Sequence, residues 1–135
     1  MVGAEPEVLH WHLESSAAAV GRMRKELGAT LHRLGVPDDA HDGVLIVANE
    51  LAANAVEHAS GPVEVLAALS PGSVRIAVRD GSARAPRLQP HDRRAPRGRG
   101  LQMVAWLARD WSWTHHDGGK TVWADVPTRV AARVG

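Results

Sequence analysis

The hydrophobic positions of this chain recur with helical spacing in some stretches and with strand spacing in others. Residues 7–14 alternate loosely between apolar and polar side chains and indicate a first strand. Apolar side chains then recur every three or four residues, which predicts a helix that Ser15 or Ser16 caps and that ends near Leu34. The same spacing over about 38–59 predicts a second helix.

The rest of the chain combines short alternating segments with turn signals. Strands are predicted over 63–69 and 73–79, joined by Ser-Pro-Gly, and over 111–115 and 121–126, joined around Asp-Gly-Gly. A helix at about 101–109 precedes the last hairpin. Because the strands come in hairpins, the order β-α-α-β-β-loop-α-β-β predicts an α+β fold. We expect a two-layer sandwich in which helices cover one face of a mostly antiparallel, mixed sheet.

The composition narrows the class of protein without indicating a function. A length of 135 residues suits a single domain over 1–135. Cysteine is absent, which excludes disulfides and zinc–thiolate sites. Residues 1–14 do not resemble a signal peptide, and no apolar run reaches the roughly 18 residues of a membrane span, so we expect a cytoplasmic protein. Four of the five tryptophans fall between Trp106 and Trp123, which suggests a packed C-terminal hairpin.

Two further features point to nucleic acid or metal only weakly. Residues 84–99 hold six arginines against one acid, but they have no aromatic residue for base stacking and no recognition-helix pattern. The whole stretch 81–100 has no periodicity, and a loop of this length is usually functional or disordered. His10 and His12 would share one face of the first strand, yet no third metal ligand follows at an obvious spacing.

Four polar features remain as candidates for chemistry. One is a stripe of side chains four residues apart, and therefore on one face of the second predicted helix, formed by Glu50, Asn54 and His58. In addition, Asp80 ends a strand, the stretch Arg-Gly-Arg-Gly-Leu at 97–101 precedes a helix, and Thr121 opens the final strand. Each feature alone has a structural explanation, namely a solvated helix face, a turn or a strand former.

Together the four features suit a nucleotide that binds with Mg²⁺. An amide oxygen such as that of Asn54 is a hard neutral ligand for Mg²⁺, and the carboxylate of Glu50 one turn away could activate a hydroxyl group. A carboxylate at a strand end, here Asp80, can accept a hydrogen bond from the amino group of a base. Backbone N–H groups at a glycine-rich helix start can hold phosphates, and nearby arginines add positive charge.

The same residues resemble the Bergerat ATP-binding fold, which gyrase, heat-shock chaperone ATPases and sensor histidine kinases share. The stretch "ELAANAVEHA" resembles its N-box, "VRDGSARAP" its first glycine box, "GRGLQMVAWLARDW" its second and "GGKTVWADVP" its closing strand. The resemblance covers about residues 8–127. In spacing and size the chain is most similar to anti-sigma-factor serine kinases and to their small relatives among ATP-binding regulators.

The resemblance implies roles for individual residues. Asn54 would ligate Mg²⁺ at the phosphates of ATP, and Glu50 would be the general base that activates an acceptor serine. Asp80 would accept the adenine amino group, with Thr121 supporting it through water. The residues that would wrap the phosphates are Gly98, Arg99, Gly100 and Leu101.

The resemblance also covers the surroundings of the site. The loop 82–97 would be the ATP lid and 128–135 a C-terminal tail, while His58 and Ser82 would be secondary members of the nucleotide site. The first glycine box departs from the usual Asp-x-Gly-x-Gly pattern, because Asp80 is followed here by Gly-Ser-Ala. This departure bears on the affinity for ATP and therefore on turnover.

Three functions follow as hypotheses. The first is an anti-sigma-type regulator with protein serine kinase activity, whose partners are a sigma factor and an anti-sigma antagonist domain. The second is a nucleotide-gated partner-binding module without kinase activity. The third is nucleic-acid binding through the arginine-rich loop. By resemblance we also expect a homodimer that forms through the face bearing the first strand and helix.

Overall fold

The computed structural model describes residues 7–58, 61–82 and 99–128. The helices and strands in these residues are β1 (Glu7–Leu13), α1 (Ala17–Arg33), α2 (Asp38–His58), β2 (Val63–Ser70), β3 (Ser73–Asp80), α3 (Arg99–Leu107), β4 (Asp110–His116) and β5 (Gly119–Pro127). The predicted order of elements is confirmed, and their bounds agree to within a few residues. Most of the predicted long loop lies outside the described residues.

The strands of the described residues form one sheet in the order β1-β2-β3-β5-β4, and each neighbouring pair is antiparallel. Buried and accessible positions alternate along β2 and β3. Their buried side chains join those of α1 and α2 in one core, so the helices cover one face of the sheet. This confirms the predicted two-layer α+β sandwich. We call the opposite face, which carries His12, Glu64, Arg75 and Trp123, the outer face.

Helix α1 begins at the serine cap that the sequence indicates. Ser16 has an extended backbone, and its Oγ accepts a hydrogen bond of 3.1 Å from the backbone N–H of Ala19. An apolar stripe then faces the sheet and the neighbouring helix, and it consists of Ala19, Val20, Met23, Leu27 and Leu31. The helix ends before Gly35, whose φ of 73° is a conformation that glycine adopts without strain.

Helix α2 lies at the centre of the helical layer and carries the predicted polar stripe. Its buried positions are Gly43, Val44, Val47, Ala48, Leu51, Ala52 and Ala55. Burial of this side against the sheet and α1 fixes the rotation of the helix, and with it the direction of the neighbouring polar side chains. None of the helices in the described ranges is long and apolar enough to cross a membrane.

The tryptophans do not all form the packed hairpin that their density suggests. Trp111 and Trp113 pack against the core from β4. Trp123 lies on the outer face, where the guanidinium of Arg75 sits 4.4 Å from its ring centroid. Trp106 projects from α3 and is 82% exposed, so the expectation of a packed cluster is wrong for this residue.

Candidate functional site

The polar stripe of α2 lies at the border between the core and solvent. Glu50 and Asn54 are half-buried, and they neighbour the fully or nearly fully buried Leu51 and Ala55. His58 is exposed at the end of the helix, with its Nε2 3.9 Å from a carboxylate oxygen of Glu57. A fully solvated helix face therefore describes His58 but not the two residues to which the sequence assigns metal binding and base catalysis.

The carboxyl group of Glu50 has a raised pKa. Burial raises the pKa of Glu50, and a hydrogen bond with the side chain of Asn49 offsets part of that effect. Asn49 is itself held by Arg24, whose Nη1 donates to Oδ1 at 3.0 Å. A carboxylate with a raised pKa binds a proton more strongly, which improves proton abstraction from a hydroxyl group near neutral pH.

Asp80 is a buried carboxylate at the end of β3. Its Oδ1 accepts a hydrogen bond of 2.8 Å from the backbone N–H of Ser82 and one of 3.0 Å from Lys120 Nζ. The same ammonium lies 3.0 Å from Oδ2, so Lys120 contacts both oxygens. Asp80 and Lys120 are each only 4% exposed, which makes them an ion pair shielded from water.

Lys120 is a residue of this site that the sequence motifs do not single out. The alternation of side chains along β5 indicates its burial. Lys120 is separated by an even number of residues from Val122, Ala124 and Val126, which face the core. Asp80 lies on the same side of β3 as the buried residues of that strand, and the strand register places it directly opposite Lys120. Two charged side chains on the buried side of adjacent strands can remain there only as an ion pair, because an unpaired buried charge is too costly.

The structure corrects the placement expected for Thr121. Successive side chains of a strand point to opposite faces, so Thr121 lies on the outer face when Lys120 faces the core. There its hydroxyl is 3.1 Å from Nε2 of His116, and its register partner on β3 is Arg79. Thr121 is thus not on the side of the sheet that carries the Asp80 carboxylate, and the residue beside that carboxylate is Lys120.

The turn between β4 and β5 brings a second backbone segment against Asp80. Gly118 and Gly119 have φ values of 85° and 156°. A Cβ at Gly119 would lie 1.9 Å from the carbonyl oxygen of Asp80 and 2.9 Å from the Cα of Gly81. No side chain fits between these segments, so glycine at this position permits the approach that brings Lys120 to Asp80.

The residues expected to wrap phosphates lie at the start of α3. The helix begins at Arg99, two residues earlier than predicted, so Arg99, Gly100 and Leu101 form its first turn. The backbone N–H groups of a first turn have no partner within the helix and can bind an anion. Gly98 and residues 83–97 of the expected lid lie outside the described residues. Ser82 is described, and its backbone N–H donates to Asp80 Oδ1.

Comparison with known proteins identifies the class of protein. The family described as the histidine kinase-like ATPase domain matches residues 13–126, which is most of the chain. The chain therefore belongs to this family, as the sequence motifs predict. A search of the curated proteins finds no match to this chain.

Solved structures agree with this assignment. The crystal structure of the RsbU and RsbW domains of Rv1364c from Mycobacterium tuberculosis has a TM-score of 0.70 and 25% identity. The match covers 96% of this chain but only 35% of that protein. Two structures of the blue-light activated histidine kinase EL346 from Erythrobacter litoralis share the fold, with TM-scores of 0.52 and 0.54 at 20% and 22% identity. Each covers 83% of this chain, which corresponds to 60% and 41% of those chains.

Proposed function

We propose that this chain is an ATP-binding, anti-sigma-type regulator that uses Mg²⁺ and phosphorylates a serine on an antagonist domain. The observation that carries the proposal is the pair of half-buried side chains on α2, Glu50 and Asn54, in a chain of the histidine kinase-like ATPase family. The structural neighbour that contains an RsbW domain supports a regulator of this type rather than a sensor histidine kinase.

The donor set of α2 fits Mg²⁺ and a phosphoryl-transfer role. Asn54 offers a neutral amide oxygen, which is a hard ligand of the kind that Mg²⁺ accepts together with phosphate oxygens and water. Bound Mg²⁺ would neutralise charge on the phosphates. Glu50, one turn away and with its pKa raised by burial, would take the proton of the acceptor serine. The first turn of α3 from Arg99 would supply backbone N–H groups to the phosphates.

The ion pair at the end of β3 supports base recognition by Asp80. Each carboxylate oxygen can accept about two hydrogen bonds. Oδ1 already accepts from Ser82 and Lys120, while Oδ2 has Lys120 alone among the described residues, which leaves it one acceptor position for an amino group of adenine. The contacts of Lys120 with both oxygens hold the Asp80 side chain in one orientation, so its carboxylate would meet the base ready to accept.

We propose a sigma factor and an anti-sigma antagonist domain as the partners, and the cytoplasm as the location. A nucleotide-gated switch without kinase activity is the second candidate, and the unusual first glycine box favours it. In this chain the backbone of Ser82 is committed to Asp80, in the segment where the usual pattern supplies further glycines.

Phosphoryl transfer to antagonist domains separates the two candidates. The chain is incubated with ATP labelled in the γ-phosphate and with purified antagonist domains from the same genome, and phosphoserine is measured. We expect wild-type transfer, a loss of at least 100-fold for Glu50→Ala with ATP binding retained, and normal transfer for the control Glu57→Ala on the same helix. Normal transfer by Glu50→Ala would show that Glu50 is not the base. ATP binding without transfer to any antagonist domain would favour the switch.

A further inference from the structure

Two histidines and a glutamate meet on the outer face, away from the nucleotide site. His10 and His12 lie two residues apart on β1 and therefore point to the same side of the sheet. Glu64 of β2 is the register partner of His12, so its carboxylate reaches the same patch. The side chains are 47%, 67% and 43% exposed, respectively, which leaves the patch open to an ion from solution.

The distances among these groups are close to those of a metal site. Nε2 of His10 lies 3.8 Å from one carboxylate oxygen of Glu64, and Nδ1 of His12 lies 3.7 Å from the other. The two imidazole centroids are 4.6 Å apart, and one ligand atom from each of the three residues lies within 4.8 Å of the others. In a tetrahedral zinc site with bonds of about 2.0–2.1 Å, neighbouring ligand atoms are about 3.3 Å apart. Side-chain rotations on binding would have to shorten the longest of these separations by up to about 1.5 Å.

The ligand types favour a borderline transition metal over a hard cation. Two imidazoles and one carboxylate suit Zn²⁺, Co²⁺ or Ni²⁺, whereas Mg²⁺ and Ca²⁺ prefer oxygen ligands alone. Three protein ligands leave at least one coordination position for water or for a group from another molecule. The site would thus differ in metal preference from the Mg²⁺ position proposed at Asn54.

The neighbouring strands place one positive charge and one apolar residue beside the patch. Opposite Glu64 on its other side lies Arg79 of β3, and Leu66 faces His10 across β1 and β2. Arg79 is the positive charge that a bound cation would meet on this side of Glu64, and the imidazoles approach from the other side.

We propose that His10, His12 and Glu64 form a three-ligand site for Zn²⁺ or a similar divalent transition metal that joins the edge strand β1 to β2. Because β1 is at the edge of the sheet, a metal that bridges it to its only neighbour in the described sheet would hold the strand in register. The site is distinct from the proposed ATP site, since its side chains lie on the outer face and Asp80 faces the helices.

Titration calorimetry with ZnCl₂ on the full chain without an added histidine tag tests this site. We expect one Zn²⁺ per chain and a loss of affinity of at least tenfold in each of His10→Ala, His12→Ala and Glu64→Gln. His32→Ala removes an exposed histidine of α1 and serves as the matched control, with unchanged affinity. Zn²⁺ should also raise the unfolding temperature of the wild type and of His32→Ala but not of His12→Ala, because a ligand that binds only the folded state stabilises it.

Other results would overturn the proposal. Absence of a stoichiometric Zn²⁺ site would do so, as would equal losses of affinity in His12→Ala and His32→Ala, which would indicate scattered binding to surface histidines. A Zn²⁺ affinity that survives Glu64→Gln unchanged would remove the carboxylate from the site and with it the link between β1 and β2.

Discussion

Removal of the Lys120 ammonium should destabilise the fold far more than an ordinary loss of a lysine. The ammonium lies 3.0 Å from both oxygens of Asp80, and both residues are 4% exposed. Lys120→Met keeps most of the side-chain volume but leaves a buried carboxylate whose only other described partner is the backbone N–H of Ser82. Breaking one side of a buried ion pair costs about 3–5 kcal/mol, because the remaining charge is desolvated without compensation.

This cost converts into a large shift of the unfolding temperature. With an unfolding entropy of about 2.1 cal/mol/K per residue, the unfolding temperature of a chain of 135 residues decreases by about 3.5 °C for each kcal/mol of lost stability. The expected decrease for Lys120→Met is therefore roughly 10–18 °C. The chain contains one other lysine, Lys25, which is exposed on α1, and Lys25→Met should shift the transition by less than about 2 °C.

A double-mutant cycle separates the ion pair from other effects of the substitution. Asp80→Asn combined with Lys120→Met removes both charges. The loss of unfolding free energy in this double variant should be smaller than the sum of the two single losses by about 1–3 kcal/mol. Urea denaturation of the four proteins gives the free energies of unfolding. If Lys120→Met unfolds like Lys25→Met, or if the two single effects simply add, the ion pair is not what stabilises this corner of the sheet.

Three further predictions concern the site and its supports. Gly119→Ala should cost at least about 3 kcal/mol because its Cβ would collide with the Asp80 backbone, whereas Gly118→Ala, which also has a positive φ but meets open space, should cost about 1 kcal/mol in the same denaturation assay. Burial raises the pKa of Glu50, so the folded state binds this proton more tightly than the unfolded state does. The contribution of Glu50 to stability is therefore fully present below its unfolded-state pKa and is lost as the pH rises through its folded-state pKa. Glu50→Gln should therefore be more stable than wild type at neutral pH and equal to it below about pH 4, and a constant difference across thermal melts at several pH values would contradict this. Ser16→Ala should cost about 1 kcal/mol through loss of the α1 cap, and an unchanged unfolding midpoint would show that the cap is dispensable.

The order of elements could be predicted because it depends on local periodicity and turn chemistry. The Ser16 cap, the apolar stripe of α1 and the Asp-Gly turn are all encoded within a few residues of the feature they produce. The predicted start of α3 is two residues late, because Gly98 and Gly100 are typical of a loop. Glycine is tolerated in a first helical turn, where the N–H groups have no intrahelical partner in any case.

The site residues that escaped prediction are those that depend on pairing between distant strands. Lys120 escapes prediction because lysine side chains are mostly exposed, and only the β3–β5 register shows that Asp80 pairs with it. The expectation for Thr121 follows from its motif, whereas the alternation of side chains along β5 puts this residue on the outer face. Likewise, Glu64 becomes a neighbour of His12 only through the β1–β2 register, which no local pattern specifies.

Calorimetric titration of ATP with and without Mg²⁺ tests most directly whether α2 carries a nucleotide site. The wild type, Asn54→Ala and the control Asn49→Ala, which removes a different amide of the same helix, are compared at matched concentrations. We predict Mg²⁺-dependent binding to the wild type and to Asn49→Ala, and a loss of at least tenfold, about 1.4 kcal/mol, in Asn54→Ala. A wild type that does not bind ATP at millimolar concentration, or an Asn54→Ala variant with unchanged Mg²⁺-dependent affinity, would contradict the nucleotide role of the stripe.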